Sequence, residues 1–354
     1  MILRELLRVL GTNRRDGRNL SEAEAYRAFA TILDGVESEV RVGAFLIALR
    51  MKGVTVEELV GFARAARDRA TLPCHGMENL VAVCPPHEGY ERSIPLEVAA
   101  GLIAAAAGAR VLLVTDRCVP PRRGLTAASV LEHLGCGLTW DPREVESWVA
   151  KTRFGAIAAT GMLPAMLALR SIRDDIGVRT PLSTIEKLLA PSTAAIVLGA
   201  QAGPVLGTAV EVMQSLGHPA GMTIQGVEGG VVPTVKRRSR GIHLDGNHQV
   251  PMTIDPGDFG FSDSDDPELP MFGPPEVGQG VADNPQLVRA AGEATLAVLA
   301  GQLGTPRNAA LMCAAILLRT AGVSMTFADG VDRASAALDS GGASAVLERL
   351  RSLV

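Results

Sequence analysis

The sequence predicts an α/β protein: a small all-helical domain and a large α/β domain whose central, mostly parallel sheet is flanked by helices. Three observations lead there. The first 72 residues carry only helical patterns, two of them opened by capping boxes. From about residue 80, short β-branched runs alternate with helical stretches, the signature of parallel strands with helices on both faces. An apolar content of 47% over 354 residues suffices for a large core and two domains.

The helical part begins with "MILRELLRVL", apolar at helical spacing and stopped by Gly11. "LSEAEAYRAFATILDG" follows, with Ser21 and Glu24 as a capping box and Gly35 as its stop. "EVRVGAFLIALRMKG" is more apolar, so it is expected to be buried on most sides. Thr55 and Glu58 open "VEELVGFARAARDRA", which Pro73 closes. In the second part, "LVAVC", "ARVLLVTD", "AAIVLGA" and "GMTIQGVEGGVV" read as strands. "PLEVAAGLIAAAAG", "LTAASVLEHLG" and "GPVLGTAVEVMQSLG" are helices between them. The Pro-, Gly- and Asp-rich stretch 251–285 is read as irregular surface chain with at most one short strand, and four helical segments close the chain. An Arg-rich helical stretch, 162–190, interrupts the strand rhythm. It is expected to leave the sheet and pack on the first helices. The expected domains are therefore 1–72, joined by 162–190, and 73–161 with 191–354.

Composition narrows the function. The net charge of −4 supplies no global basic excess for nucleic acid, and 3% aromatics argue against a base-stacking platform. The five cysteines are scattered and form no C-x-x-C pair, so they read as free thiols of a reducing compartment. Met1–Leu10 mixes charges with apolar residues, unlike a signal peptide, and Val98–Ala109 is too short to span a bilayer. A soluble cytoplasmic protein is the expectation.

The stretch "CPPHEGYERSIP", residues 84–95, lies between a strand and a helix, where ligands are commonly held. Pro85 and Pro86 have no amide hydrogen to offer an anion, and Glu88 and Glu91 would repel one. Its usable groups are His87, the Gly89 backbone, Tyr90, Arg92 and Ser93, with an N-cap as the ordinary role for Ser93. Lys236-Arg237-Arg238-Ser239-Arg240 places four cations in five residues, an anion site or else a solvated loop. Cys84 carries no mark of an activated thiol. The acids of 251–285 do not have calcium-loop spacing.

From end to end the chain resembles glycosyltransferase family 3, which includes anthranilate phosphoribosyltransferase and the pyrimidine nucleoside phosphorylases. The likeness is carried by "LDGVESEVRVGAFLIALRMKGVTVEELVGFARAAR", "SIRDDIGVRTPLSTIEKLLAP", "GTAVEVMQSLGHPAGMTIQGVEGG", "IDPGDFGF" and the closing "PRNAALMCAAILL" with "ADGVDRASAALDSGGA". The resemblance implies a cleft between the two domains, an anionic sugar-phosphate or phosphate-bearing ligand in it, and a homodimer formed through the helical domain. It also implies that Arg173 faces an acidic acceptor; a hinge salt bridge with Asp174, Asp175 or a distant acid is the alternative. A guanidinium fork suits either.

Three family elements are altered here. The Gly-rich G-T-G-G-D loop is replaced by "CPPHEGYERSIP", and the K-H-G-N-R loop by "TDRCVPPRRG", where Arg117, Arg122 and Arg123 retain positive charge. The Asp-Glu magnesium pair falls at Val231 and Val232, leaving Glu228 as the one nearby carboxylate. Mg²⁺ is therefore expected only together with a phosphorylated ligand, and ordinary anthranilate phosphoribosyl transfer is not the expectation. The altered loop also resembles a divergent bacterial branch of the family linked to nucleic-acid binding. Two further readings stay open: a non-enzymatic, nucleic-acid-binding homodimer, and a small-molecule sensor. If active, the chain would be a pentosyl or phosphoribosyl transferase. No catalytic residue follows from the sequence.

Overall fold

The computed structural model describes residues 2–11, 17–201, 203–273 and 279–354. Helices α1 (Ile2–Gly11), α2 (Glu22–Leu33), α3 (Glu39–Lys52) and α4 (Val56–Arg67) form the N-terminal bundle. Both capping boxes are made: Ser21 and Glu24 exchange side-chain-to-backbone bonds at α2, and Thr55 and Glu58 do so at α4. Glu58 does more than cap. Its buried carboxylate also accepts from the Leu20 amide and from Lys52 Nζ, both at 2.8 Å, tying the start of α4 to the chain before α2. Phe29, Phe45 and Phe62 fill the centre of the bundle.

A seven-stranded sheet organises the rest, in the order β3-β2-β1-β4-β5-β6-β7. Strands β1 (Leu80–Cys84), β2 (Arg110–Thr115), β3 (Phe154–Ala158), β4 (Ala195–Gly199) and β5 (Ala220–Ile224) are parallel. They read as unbroken apolar runs because both faces are covered. Helices α5 (Glu97–Ala106), α6 (Ala127–His133) and α7 (Pro142–Thr152) connect the first three strands. Four short helices follow β3: α8 (Ala159–Met162), α9 (Ala165–Ala168), α10 (Arg170–Ile176) and α11 (Leu182–Ile185). Ile172 and Ile176 of α10 lie against Gly43 of α3, and the Arg50 side chain donates to the Arg179 carbonyl. Helix α12 (Gly203–Ser215) joins β4 to β5, and α13 (Pro285–Leu299), α14 (Thr305–Thr320), α15 (Phe327–Asp339) and α16 (Gly342–Arg351) close the fold. Among the described residues no helix is long and apolar enough to cross a membrane.

The strand order reverses between β1 and β4. Chain leaving the carboxyl ends of these two strands diverges there, opening the crevice in which α/β sheets bind ligands. The segments after β1, β2 and β5 all emerge at this edge.

The structure departs from the sequence reading in four places. Strand β3, "FGAIA", went unread between two helical segments. The β5 stretch is strand only through Ile224 and continues as a glycine-rich turn. Residues 239–254 form an antiparallel hairpin, β6 (Ser239–Asp245) and β7 (His248–Ile254); its part before residue 251 went unread, and the end of β7 is the short strand allowed within 251–285. Pro251 is tolerated because β7 is the sheet edge. Residues 274–278 of the irregular stretch lie outside the described residues. Lastly, α5 is capped at Leu96 and not at Ser93.

Helices α2 and α4 cross at Gly61, where a Cβ would collide with the Glu22 carbonyl and come within 2.8 Å of the Ala25 Cβ. Gly61→Ala is expected to cost about 1–3 kcal/mol by overpacking this crossing. A urea titration showing a loss below about 0.5 kcal/mol would contradict that packing.

Candidate functional site

The segment after β1 is anchored on three sides. Its first anchor is the segment after β2. Tyr90 and Leu125 exchange both backbone hydrogen bonds at 2.8 Å, and the Gly124 amide donates to the Glu88 carbonyl at 2.8 Å. Gly89, at φ 75°, lies so close to Gly124 that a Cβ would meet the backbone of that residue. The glycine thus admits a neighbouring chain rather than a phosphate.

The second anchor is a buried charge cluster. Arg173 of α10 donates to Glu186 at 2.6 and 3.2 Å and to Glu88 at 2.8 Å. Arg179 Nε lies 3.0 Å from the other Glu88 oxygen, and Ser183 donates its hydroxyl to Glu88. Arg173, Glu88 and Glu186 are all buried. Burial opposes the Arg173 charge, but Glu186 and Glu88 outweigh it and hold the pKa above its ordinary value. The guanidinium expected to face an acceptor is therefore occupied by two of the protein's own carboxylates. Lys187, next in the chain, donates to the Gly199 carbonyl at 3.0 Å, and burial followed by Arg179 lowers its pKa to about 8. His87 is sealed beside the cluster, its Nδ1 4.0 Å from Glu186. Neither ring nitrogen has a hydrogen-bond partner among the described residues, and burial drives its pKa down to about 4. It is a neutral side chain at neutral pH.

The third anchor is Glu228, from the turn after β5. Its carboxylate accepts from three successive amides, those of Glu91 (2.9 Å), Arg92 (2.9 Å) and Ser93 (2.7 Å). Burial would raise its pKa, but these amides together lower it, so the ionised form is the one held. Glu228 itself adopts φ 50°, ψ 22°, an uncommon region for a residue with a side chain. Arg122 stands near, 3.9 Å from Glu228 and 3.8 Å from Glu91. The turn fits because Gly230 lies flat on Tyr90, where a Cβ would collide with the phenol. Tyr90 is buried beneath it and donates its hydroxyl to buried Glu97 at 3.3 Å.

The magnesium pair implied by the resemblance does not fit these residues. Val231 and Val232 are buried apolar side chains, and Glu228 is committed to amides. Among the described residues there is no group of three or more His, Cys, Asp or Glu side chains able to hold a metal.

The structure distributes the arginines expected from the sequence. Arg117 pairs with Glu132 and sits 5.5 Å over the Trp140 ring, while Arg123 pairs with Asp174 at 2.7 Å. Lys236 lies 3.7 Å from Asp265, and Arg238 is 2.6 Å from Asp255. Arg237 and Arg240 make no side-chain ion pair or hydrogen bond among the described residues, nor does Arg92. Arg237 and Arg240 line an open cleft of about 840 Å³ with Gln201, Gln225, Thr234 and Glu228. Gln201 and Gln225 were missed in the sequence. Their signal is position: each is a polar residue just beyond the carboxyl end of a parallel strand. His87, Tyr90 and Arg173 do not reach this cleft lining. Cys84 and Cys313 are buried with thiols pushed up by desolvation, Cys84 to about 12.

Glu97 gives the site a pH signature. Burial raises its pKa from 4.5 to about 8. Its protonated form supports the fold fully below the unfolded value, and that support is lost as pH rises through the folded one. Wild-type stability should therefore fall relative to Glu97→Gln between about pH 5 and about pH 9, by a few kcal/mol. Parallel stability curves for the two proteins would contradict the assignment.

Comparison with known proteins agrees with the architecture. Residues 12–70 match the family model "Glycosyl transferase family, helical bundle domain", and residues 91–344 match "Glycosyl transferase family, a/b domain". The anthranilate phosphoribosyltransferase of Anaeromyxobacter dehalogenans (strain 2CP-C) is 34% identical over 343 residues, 96% of this chain and 95% of that one. That of Geobacter sulfurreducens is 31% identical over 350 residues, 95% of each. The crystal structure of the Thermus thermophilus enzyme superposes with a TM-score of 0.81 at 24% identity, covering 99% of this chain and 98% of that one. The Saccharomyces cerevisiae enzyme in complex with PRPP and Mg gives 0.80 at 17%, covering 99% and 97%. At these identities the structural likeness is one of fold. The two family models and the 34% identity over nearly the whole length establish that the chain belongs to the glycosyl transferase family 3 group that includes the anthranilate phosphoribosyltransferases.

Proposed function

We propose that this chain binds a phosphate-bearing small molecule of the sugar-phosphate class at the carboxyl edge of its sheet, using arginines and without magnesium. On this reading ordinary anthranilate phosphoribosyl transfer is not its reaction. The observation that carries it is the state of the Arg237–Arg240 cleft: two guanidiniums without an ion pair face about 840 Å³ of open space beside the side-chain amides of Gln201 and Gln225. Guanidinium forks match phosphate oxygens, and the Gln201 and Gln225 amides suit ribose hydroxyls. The yeast relative's complex with PRPP and Mg supports the ligand class. Val231 and Val232 argue against the same metal requirement here.

A second reading takes the ligand to be the phosphate backbone of a nucleic acid. It is favoured by Lys236, Arg237, Arg238 and Arg240 being exposed in one short stretch beside the cleft. Pairing of two copies through the helical bundle, supported by exposed Val36, Val40 and Met51, would double that stretch.

Calorimetry with ribose 5-phosphate tests the first reading. Arg237→Ala with Arg240→Ala should weaken binding at least about tenfold, since each lost charge-assisted pair removes about 1.5–3 kcal/mol. Equal binding by both proteins would contradict it. A single-stranded oligonucleotide that binds instead, with affinity falling steeply as salt is raised, would favour the second reading.

A further inference from the structure

The Glu228 contact is an anion bound to a built receptor. Three consecutive backbone N–H groups converge on one carboxylate, the arrangement by which proteins hold phosphate and sulfate oxygens. The receptor is reachable, because Glu91 and Arg92 are exposed and the Glu228 side chain retains 19% of its exposure. Its occupant is held under strain, with a non-glycine residue at φ 50° between Gly226 and Gly229. Its nearest cation, Arg122, stands 3.9 Å away and does not clamp it. An alternative position is at hand, since Glu228 also lines the cleft that holds unpaired Arg237 and Arg240.

We propose that Glu228 is a displaceable internal occupant: a free oxyanion of the phosphate class evicts it from the amides of Glu91, Arg92 and Ser93, and the freed carboxylate turns into the arginine cleft. The amides trade one anion for another, and the cleft arginines gain a carboxylate. An anion on the amides therefore weakens anion binding in the cleft, and the two sites act against each other. Only the destination of Glu228 rests on the reading proposed above for the cleft.

The test uses the full chain and inorganic phosphate, followed through the ¹⁵N–¹H resonances of residues 91–93. Glu228→Ala is expected to bind phosphate about tenfold more tightly than wild type or better, as its amides no longer carry a competing charge-assisted acceptor. Glu228→Gln, which keeps the shape without the charge, should fall between them. In each protein the shifts should centre on residues 91–93. Unchanged affinity in Glu228→Ala, or tightening without movement of those three amides, overturns the proposal. If Glu228→Ala does not fold, wild type still decides: saturating phosphate must move both these amides and the Glu228 carboxyl ¹³C resonance, and failure of either overturns it. Arg237→Ala with Arg240→Ala separates the two readings, because it weakens cleft binding at least about tenfold while phosphate continues to reach the amides.

Discussion

The carboxylate of Glu228 on the amides of residues 91–93 is the contact on which the geometry of this edge depends. It fixes the turn after β5 against the segment after β1. That docking lays Gly230 on Tyr90, and Tyr90 in turn pairs by its backbone with Leu125 of the segment after β2. Glu228 thus joins the turn after β5 to two segments that backbone bonds already hold together. Glycine is required at 89, 124 and 230 for the same reason: these backbones touch one another or the phenol, leaving no room for a Cβ.

The Arg173 cluster extends the same logic to the side facing α10 and α11. Glu88 and Glu186 balance Arg173 and Arg179, so the buried charge is neutral as a set. Such clusters contribute little net stability, yet removal of one member costs about 3–5 kcal/mol because it strands the others. Their effect is to specify geometry. Between them, Glu88 and Glu228 place the protein's own carboxylates on its buried arginine and on its amide receptor. Arg237 and Arg240, at the start of the hairpin, carry guanidiniums without an ion pair among the described residues, as does Arg92.

Much of the fold was legible in the sequence, for local reasons. Ser21 with Glu24 and Thr55 with Glu58 are spaced to bond within one helical turn, and both boxes form. Strands β1, β2 and β4 are β-branched runs bounded by breaks in pattern. Strand β3 escaped because Gly155, Ala156 and Ala158 give it little β-propensity. The hairpin escaped because edge strands are polar and tolerate Pro251, although Gly246-Asn247 supplies its two-residue turn. At the site, residue types were legible and partners were not. Glu228 meets amides more than 130 positions away, and Glu88 meets Arg173 at a separation of 85. Arg117, Arg123 and Arg238 were legible as cations of two basic clusters, but each is matched to an acid that only the folded chain brings near.

On the proposed reading this edge handles anions with fixed protein charges and amides in place of a metal. Calorimetric titration of phosphoribosyl pyrophosphate with and without Mg²⁺ addresses it most directly. Arginine recognition predicts an affinity that Mg²⁺ leaves unchanged or weakens, since the cation neutralises the phosphate oxygens that guanidinium would bind. An affinity raised tenfold or more by Mg²⁺, about 1.4 kcal/mol, would contradict the account and return the site to metal-assisted binding.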